Sequence, residues 1–102
     1  MKSKLDEFVK CLDKKQYFNA HEVIEEIWYP RRFEDNDEMR LLKGFINSAV
    51  CFELRKRGKE SQSQRVWKNY LKYKPLLYKI DSPYLNQYHI ISQHVEKIFN
   101  LR

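Results

Sequence analysis

The chain predicts an all-α fold, a single-domain bundle of about five helices spanning residues 1–102, and three observations carry that expectation. Only two Gly and three Pro occur in 102 residues, too few for the many tight turns of a sandwich or barrel. Hydrophobic residues make up 42% of the chain and aromatic residues 15%, alongside 33% charged residues, which excludes ordinary disorder and implies a ring-rich core under a charged surface. Apolar residues also recur three and four positions apart, the spacing of one helical face.

Taken in order, Ser3 is a candidate cap for a first helix carrying Leu5, Phe8, Val9 and Leu12, with Asp6 three residues after the cap and an end near Lys15. Asn19 then offers an N-cap with Glu22 at the capping-box position, and Pro30 stops the second helix. Residues 31–37 lack periodicity and read as a polar loop, so a third helix starts near Asp37. From Met39 to Leu54 apolar positions cover more than half the circumference, as in a central helix, and Gly58 ends it. Gly44 lies mid-helix, where it costs roughly 1 kcal/mol relative to Ala, which points to close helix packing. A fourth helix runs from Ser61 or Ser63 to Lys74, with Val66, Trp67, Tyr70 and Leu71 inward, before Pro75 interrupts it. Asp81, Ser82 and Pro83 form a loop with a Ser cap. They lead into a fifth helix bearing Tyr84, Tyr88, Ile91, Val95 and Ile98.

The N-terminus has no apolar segment of the signal-peptide kind, and no stretch approaches the roughly 20 apolar residues that cross a bilayer, so a cytoplasmic protein without a membrane partner is expected. Cys11 and Cys51 are too few and too scattered for a zinc ribbon or a disulfide framework and read as reduced core thiols.

One constellation could carry chemistry. His21, Glu25 and Trp28 stand at i, i+4 and i+7, so an imidazole, a carboxylate and an indole share one helical edge. At 100° per residue, Ala20, Val23, Ile24, Ile27 and Trp28 form the buried stripe of this helix, Glu22 and Glu26 point away, and His21 and Glu25 fall at the margin. A charge-assisted His–Glu hydrogen bond that fixes the helix is one reading of the pair. The other is two ligands for a divalent metal ion, which would need further donors from elsewhere. Glu53 is the most suggestive of those, because its angle lies among Leu42, Ile46 and Ala49; an ion pair with an Arg such as Arg40 or Arg57, or a rotation of the helix end toward solvent, is the simpler account. His94 flanks the stripe of the fifth helix as a polar boundary residue, and His89 points away from it into solvent. A His-Glu-x-x-His zinc protease is rejected, since position 25 is Glu where the second His would stand.

The segment from Tyr17 to Trp28 resembles the domain-of-unknown-function family 309, whose signature is His-x-x-x-Glu-x-x-Trp or Tyr and which His21, Glu25 and Trp28 match. The resemblance continues in Leu42-Lys43-Gly44-Phe45-Ile46-Asn47-Ser48-Ala49, similar to a Gly-Leu-Ile-Gln-x-Ala block, and in Arg57-Gly58, covering about residues 8–72. Where the family often follows that Gly with Asn and then a Gly-Ala pair, this chain has Lys59, Gln62 and Ser63. The resemblance implies a small helical bundle whose signature has been suggested to bind metal, without an established activity.

Charge supplies a second class of function. The net charge is +6, and between residues 55 and 79 the cations Arg55, Arg57, Lys59, Arg65, Lys68 and Lys72, among others, face only Glu60. Interleaved with Trp67, Tyr70, Tyr73 and Tyr78, they suggest RNA or DNA binding through cations and stacking rings, although helix periodicity assigns Trp67, Tyr70 and Tyr78 to the core. A metal-dependent hydrolase is the third class, with a His beside a carboxylate as an oriented base, but no nucleophile or phosphate loop accompanies it. The leading expectation is a non-catalytic binding domain. Tyr29, Phe33 and Tyr84 offer exposed rings for a homodimer.

Overall fold

The structure is a computed structural model and describes residues 1–101. Among these residues it is all-helical: α1 (Lys2–Asp13), α2 (Tyr17–Trp28), α3 (Asp37–Lys56), α4 (Glu60–Tyr73) and α5 (Leu85–Asn100), with 3-10 turns at Tyr29–Arg31 and Lys74–Tyr78. Each α-helix buries one stripe and leaves charged residues outside, so the core is a by-product of periodicity.

The central element is α3, which packs against α2, α4 and α5 and buries Met39, Leu41, Leu42, Phe45, Ala49, Cys51 and Phe52. Its start is fixed by Asn36, whose side-chain oxygen accepts from the Met39 backbone N–H at 2.9 Å. Its end is a Schellman turn. Gly58 takes φ 77°, and the Lys59 and Gly58 N–H groups reach back to the Leu54 and Arg55 carbonyls. The same turn closes α1, with Gln16 and Lys15 donating to Cys11 and Leu12, but here a lysine rather than a glycine occupies the left-handed position, at φ 59°. Gly44 faces Tyr73 so closely that an added Cβ would lie 3.0 Å from the Tyr73 Cβ, which explains a glycine in mid-helix. Cys11 and Cys51 are both buried and free, and Cys51 Sγ lies 3.2 Å from Ser63 Oγ.

Several expectations are corrected. Ser3 does not cap α1, which begins at Lys2, and Asn19 lies within α2, which begins at Tyr17 after Gln16. Neither Ser61 nor Ser63 starts α4; the helix opens at Glu60 and buries Ser63. Leu71 is exposed, because the α4 stripe is set by Ser63, Trp67 and Tyr70, and Leu71 falls at its margin. Tyr78 is 75% exposed rather than part of the core: Pro75 converts the chain to a 3-10 turn there, and Leu77 takes the inward position instead. Ser82 acts as expected of a cap but two residues early, accepting from the Tyr84 N–H at 3.1 Å before α5 begins at Leu85. Tyr84 is partly buried, so it is not one of the exposed rings; Tyr29 and Phe33 are. His89 is half-buried edge-on to Tyr78 rather than solvated. No helix among the described residues is long and apolar enough to cross a membrane.

Candidate functional site

The α2 helix presents His21 and Glu25 on adjacent turns at the edge of its buried stripe, where His21 is 18% and Glu25 45% exposed at the side chain. His21 Nδ1 lies 2.5 Å from the Phe18 carbonyl oxygen, which can only accept, so Nδ1 carries the proton. In the neutral imidazole Nε2 then bears the lone pair. That atom faces Glu25, 3.8 Å from Oε2, too far for a direct hydrogen bond. The His21 ring is also held edge-on against Phe18, with centroids 4.8 Å apart. Trp28, the third member of the edge, is partly buried and turns toward α3: Lys43 Nζ is 6.0 Å from its ring, and the indole walls a shallow pocket of about 370 Å³ with Met39 and Tyr73.

Among the described residues, no three His, Cys, Asp or Glu side chains gather as a metal site would require. Glu53 accordingly does not join His21 and Glu25. It is half-buried near the end of α3 and accepts from Arg57 Nε at 3.0 Å, the simpler of the two readings of its position. The donor set therefore does not fit a closed four-ligand centre; a neutral imidazole nitrogen and a carboxylate at i, i+4 fit at most an open site completed from outside.

The family model of the domain of unknown function (DUF309) matches residues 5–66, which hold most of α1, all of α2 and α3 and the first half of α4. The chain belongs to the DUF309 family. No curated protein and no solved structure matches it.

In this DUF309 protein two carboxylates that sequence reasoning passed over hold the remaining residues, 67–101: Glu38 ties them to the matched part, and Glu96 ties α5 to the end of α4 and the turn that follows. Glu38, in the first turn of α3, accepts from Ser82 Oγ at 2.7 Å and from the Tyr88 hydroxyl at 2.5 Å. Glu96, on α5, accepts from Lys74 Nζ at 2.6 Å, Ser92 Oγ at 2.9 Å and the Tyr70 hydroxyl at 3.2 Å. Burial and then the adjoining carboxylate push the Tyr88 phenol well up, and burial does the same for Tyr70, so both remain donors at neutral pH. Burial alone would raise the Glu96 carboxyl, but the bonds from Lys74, Ser92 and Tyr70 together outweigh it and hold the group below the usual carboxylate range. Apart from Ser92, four positions from Glu96, the partners of these two carboxylates lie 22 to 50 positions away, beyond the reach of local pattern.

The basic residues divide into two sets. Arg65, Lys68 and Lys72 are exposed at i, i+3 and i+7 on the outer face of α4, and Lys59 precedes that helix. Arg57 is held by Glu53, and Arg55 is half-buried, donating to the Phe99 carbonyl at 3.0 Å with its guanidinium 4.7 Å from the Phe99 ring. Of the rings interleaved with these cations, Trp67 and Tyr70 are in the core, as their periodicity implies, and Trp67 stacks on Phe99 at 3.9 Å with the planes 2° apart, while Lys72 Nζ lies 5.3 Å from the Tyr73 ring.

A cavity of about 980 Å³ opens elsewhere, where the α1–α2 turn, the end of α3 and the end of α5 meet. Glu53, Arg55 and His94 line it; His21 and Glu25 do not. His94 Nδ1 lies 3.2 Å from Asp13 Oδ1, a contact between opposite ends of the chain.

Proposed function

We propose that this DUF309 protein is a non-catalytic binding domain, and that His21 and Glu25 supply the two protein donors of an open site for a divalent metal ion. One observation supports this. The Phe18 carbonyl takes the Nδ1 proton of His21, and donation of the second ring nitrogen to a carbonyl is the device that orients metal-binding imidazoles and fixes their tautomer. Nε2 is thereby aimed at the space shared with Glu25, at a separation an ion could bridge. Two protein ligands leave the other positions to water or to a partner, so affinity is modest and a hydrolytic role is not part of the proposal.

Elemental analysis and calorimetric titration with zinc, on wild type and His21→Ala prepared without an affinity tag, test the reading. Metal bound by wild type and lost in the variant, with the fold retained, is the expected result. No bound metal together with a destabilised variant would make the pair a structural latch.

A second reading, binding of RNA or DNA by the outer face of α4, is favoured by the exposed line of Arg65, Lys68 and Lys72. It predicts affinity that falls with salt and is reduced in Lys68→Glu/Lys72→Glu. Binding by such a line would be mainly to phosphates and insensitive to sequence.

A further inference from the structure

The cavity between the α1–α2 turn and the ends of α3 and α5 has a composition of its own. Among the described residues, Lys14, Lys15, Lys56 and Lys97 line it against two carboxylates, Asp13 and Glu53, leaving two formal positive charges apart from Arg55. Both carboxylates are already engaged, Asp13 with His94 and Glu53 with Arg57. Cations at helix C-termini are expected simply to offset the helix dipoles, each equivalent to about −0.5 charge. Three such termini and the N-terminus of α2 converge here, together equivalent to about −1 charge, which accounts for about half of the excess and leaves roughly one positive charge without that explanation.

The walls between the cations are apolar. Tyr17 and Phe52 meet with centroids 5.4 Å apart, Phe18 is 51% exposed, and Leu12 and Ile98 form part of the floor. Burial pushes the Tyr17 phenol up, with Arg55 opposing, so Tyr17 presents a proton donor at neutral pH. A volume of about 980 Å³ lies within the range of small-molecule sites. Lys15 adds an independent sign: it holds the left-handed backbone conformation at which glycine would be unstrained, and such strain gathers at functional positions.

We infer that this groove binds a free small amphiphile with one anionic head, its apolar body against Tyr17, Phe18 and Phe52 and its head among Lys14, Lys56 and Lys97. A polyanion fits less well, because the uncompensated charge is small and the walls are rings and aliphatic carbons. The His21 ring and its bond to the Phe18 carbonyl brace the Phe18 wall from behind, so the family signature supports this site without lining it.

The test is titration of ¹⁵N-labelled protein with decanoate, followed by amide chemical shifts. Shifts confined to residues 14–19, 52–56 and 94–101 are expected, with none from decyltrimethylammonium. Lys56→Glu/Lys97→Glu, both at exposed positions, should weaken decanoate binding at least about tenfold, or ~1.4 kcal/mol, and Phe18→Ser should weaken it severalfold while leaving the charge intact. Equal binding of the cationic amphiphile, undiminished binding by both variants, or shifts from inorganic phosphate that match those from decanoate would each overturn the inference. Co-sedimentation with phosphatidylglycerol vesicles that decanoate does not displace would also overturn it, in favour of a membrane surface.

Discussion

Removing a single oxygen at Tyr88 tests how the C-terminal part of the molecule is held. The Tyr88 ring is fully buried between α5 and α3, 6.0 Å from the Phe45 ring, and its hydroxyl donates to the ionised Glu38 at 2.5 Å. Phenylalanine keeps the ring contacts and deletes only that bond. Glu38 retains Ser82 Oγ at 2.7 Å and is partly exposed, so the carboxylate is not stranded and the loss stays near that of one hydrogen bond to a charged group. Such bonds contribute about 1.5–3 kcal/mol, so Tyr88→Phe should cost about 2 kcal/mol. In a domain near 100 residues, about 4–8 °C accompanies each kcal/mol, which places the fall in Tm at roughly 8–16 °C. Thermal and urea unfolding followed by circular dichroism measure it, with the urea m-value unchanged. Pairing the change with Glu38→Gln in a double-mutant cycle isolates the shared term. A loss below about 0.5 kcal/mol, or strict additivity with Glu38→Gln, would refute the account of Glu38 as the tie between α3 and the residues that follow α4.

Other outcomes follow from features already described. The Glu96 carboxyl is depressed in the folded state, so its contribution to stability is present above the ordinary carboxylate pKa and is lost as pH falls through the folded value; a pH series of urea midpoints should decline below about pH 4, less steeply in Glu96→Gln. At Gly44, Leu should cost about 1–3 kcal/mol through overpacking against Tyr73, whereas for Ala a helix-propensity gain of about 1 kcal/mol and the squeeze at 3.0 Å nearly cancel, as melting curves of both variants would show. Lys15→Gly should leave Tm unchanged or slightly raised, because relief of the left-handed backbone offsets the added freedom of the unfolded chain, while decanoate binding to the groove weakens.

The helices were legible because their apolar residues repeat at helical spacing over long stretches, and α3 reads correctly at both ends because a polar loop without periodicity runs up to Asp37 and Gly58 marks the stop. The helix starts at Lys2, Tyr17 and Glu60 were not, since no side chain caps them and nothing local marks the place. Tyr78 failed for a different reason: the helical period was extended through Pro75, and the 3-10 turn rotates the next residues by enough to exchange Tyr78 with Leu77. The signature edge was readable as an edge, including its marginal burial, because i, i+4 geometry is local. The groove and the Glu38 and Glu96 clusters were not, because each joins residues from three or more segments whose meeting depends on helix docking rather than on any one stretch.

The parallel stack of Trp67 on Phe99 gives the molecule an optical readout of its own. The chain has two tryptophans, so replacing Trp28 with Phe leaves the emission of one indole to report, and that indole is buried face to face with a ring near the end of α5. Phe99 also carries the carbonyl that receives Arg55, a residue of the groove wall. Displacement of Arg55 would therefore reach Trp67 through a single intervening residue. In Trp28→Phe, intrinsic fluorescence would report docking of α5 during folding and groove occupancy at equilibrium, without any attached dye.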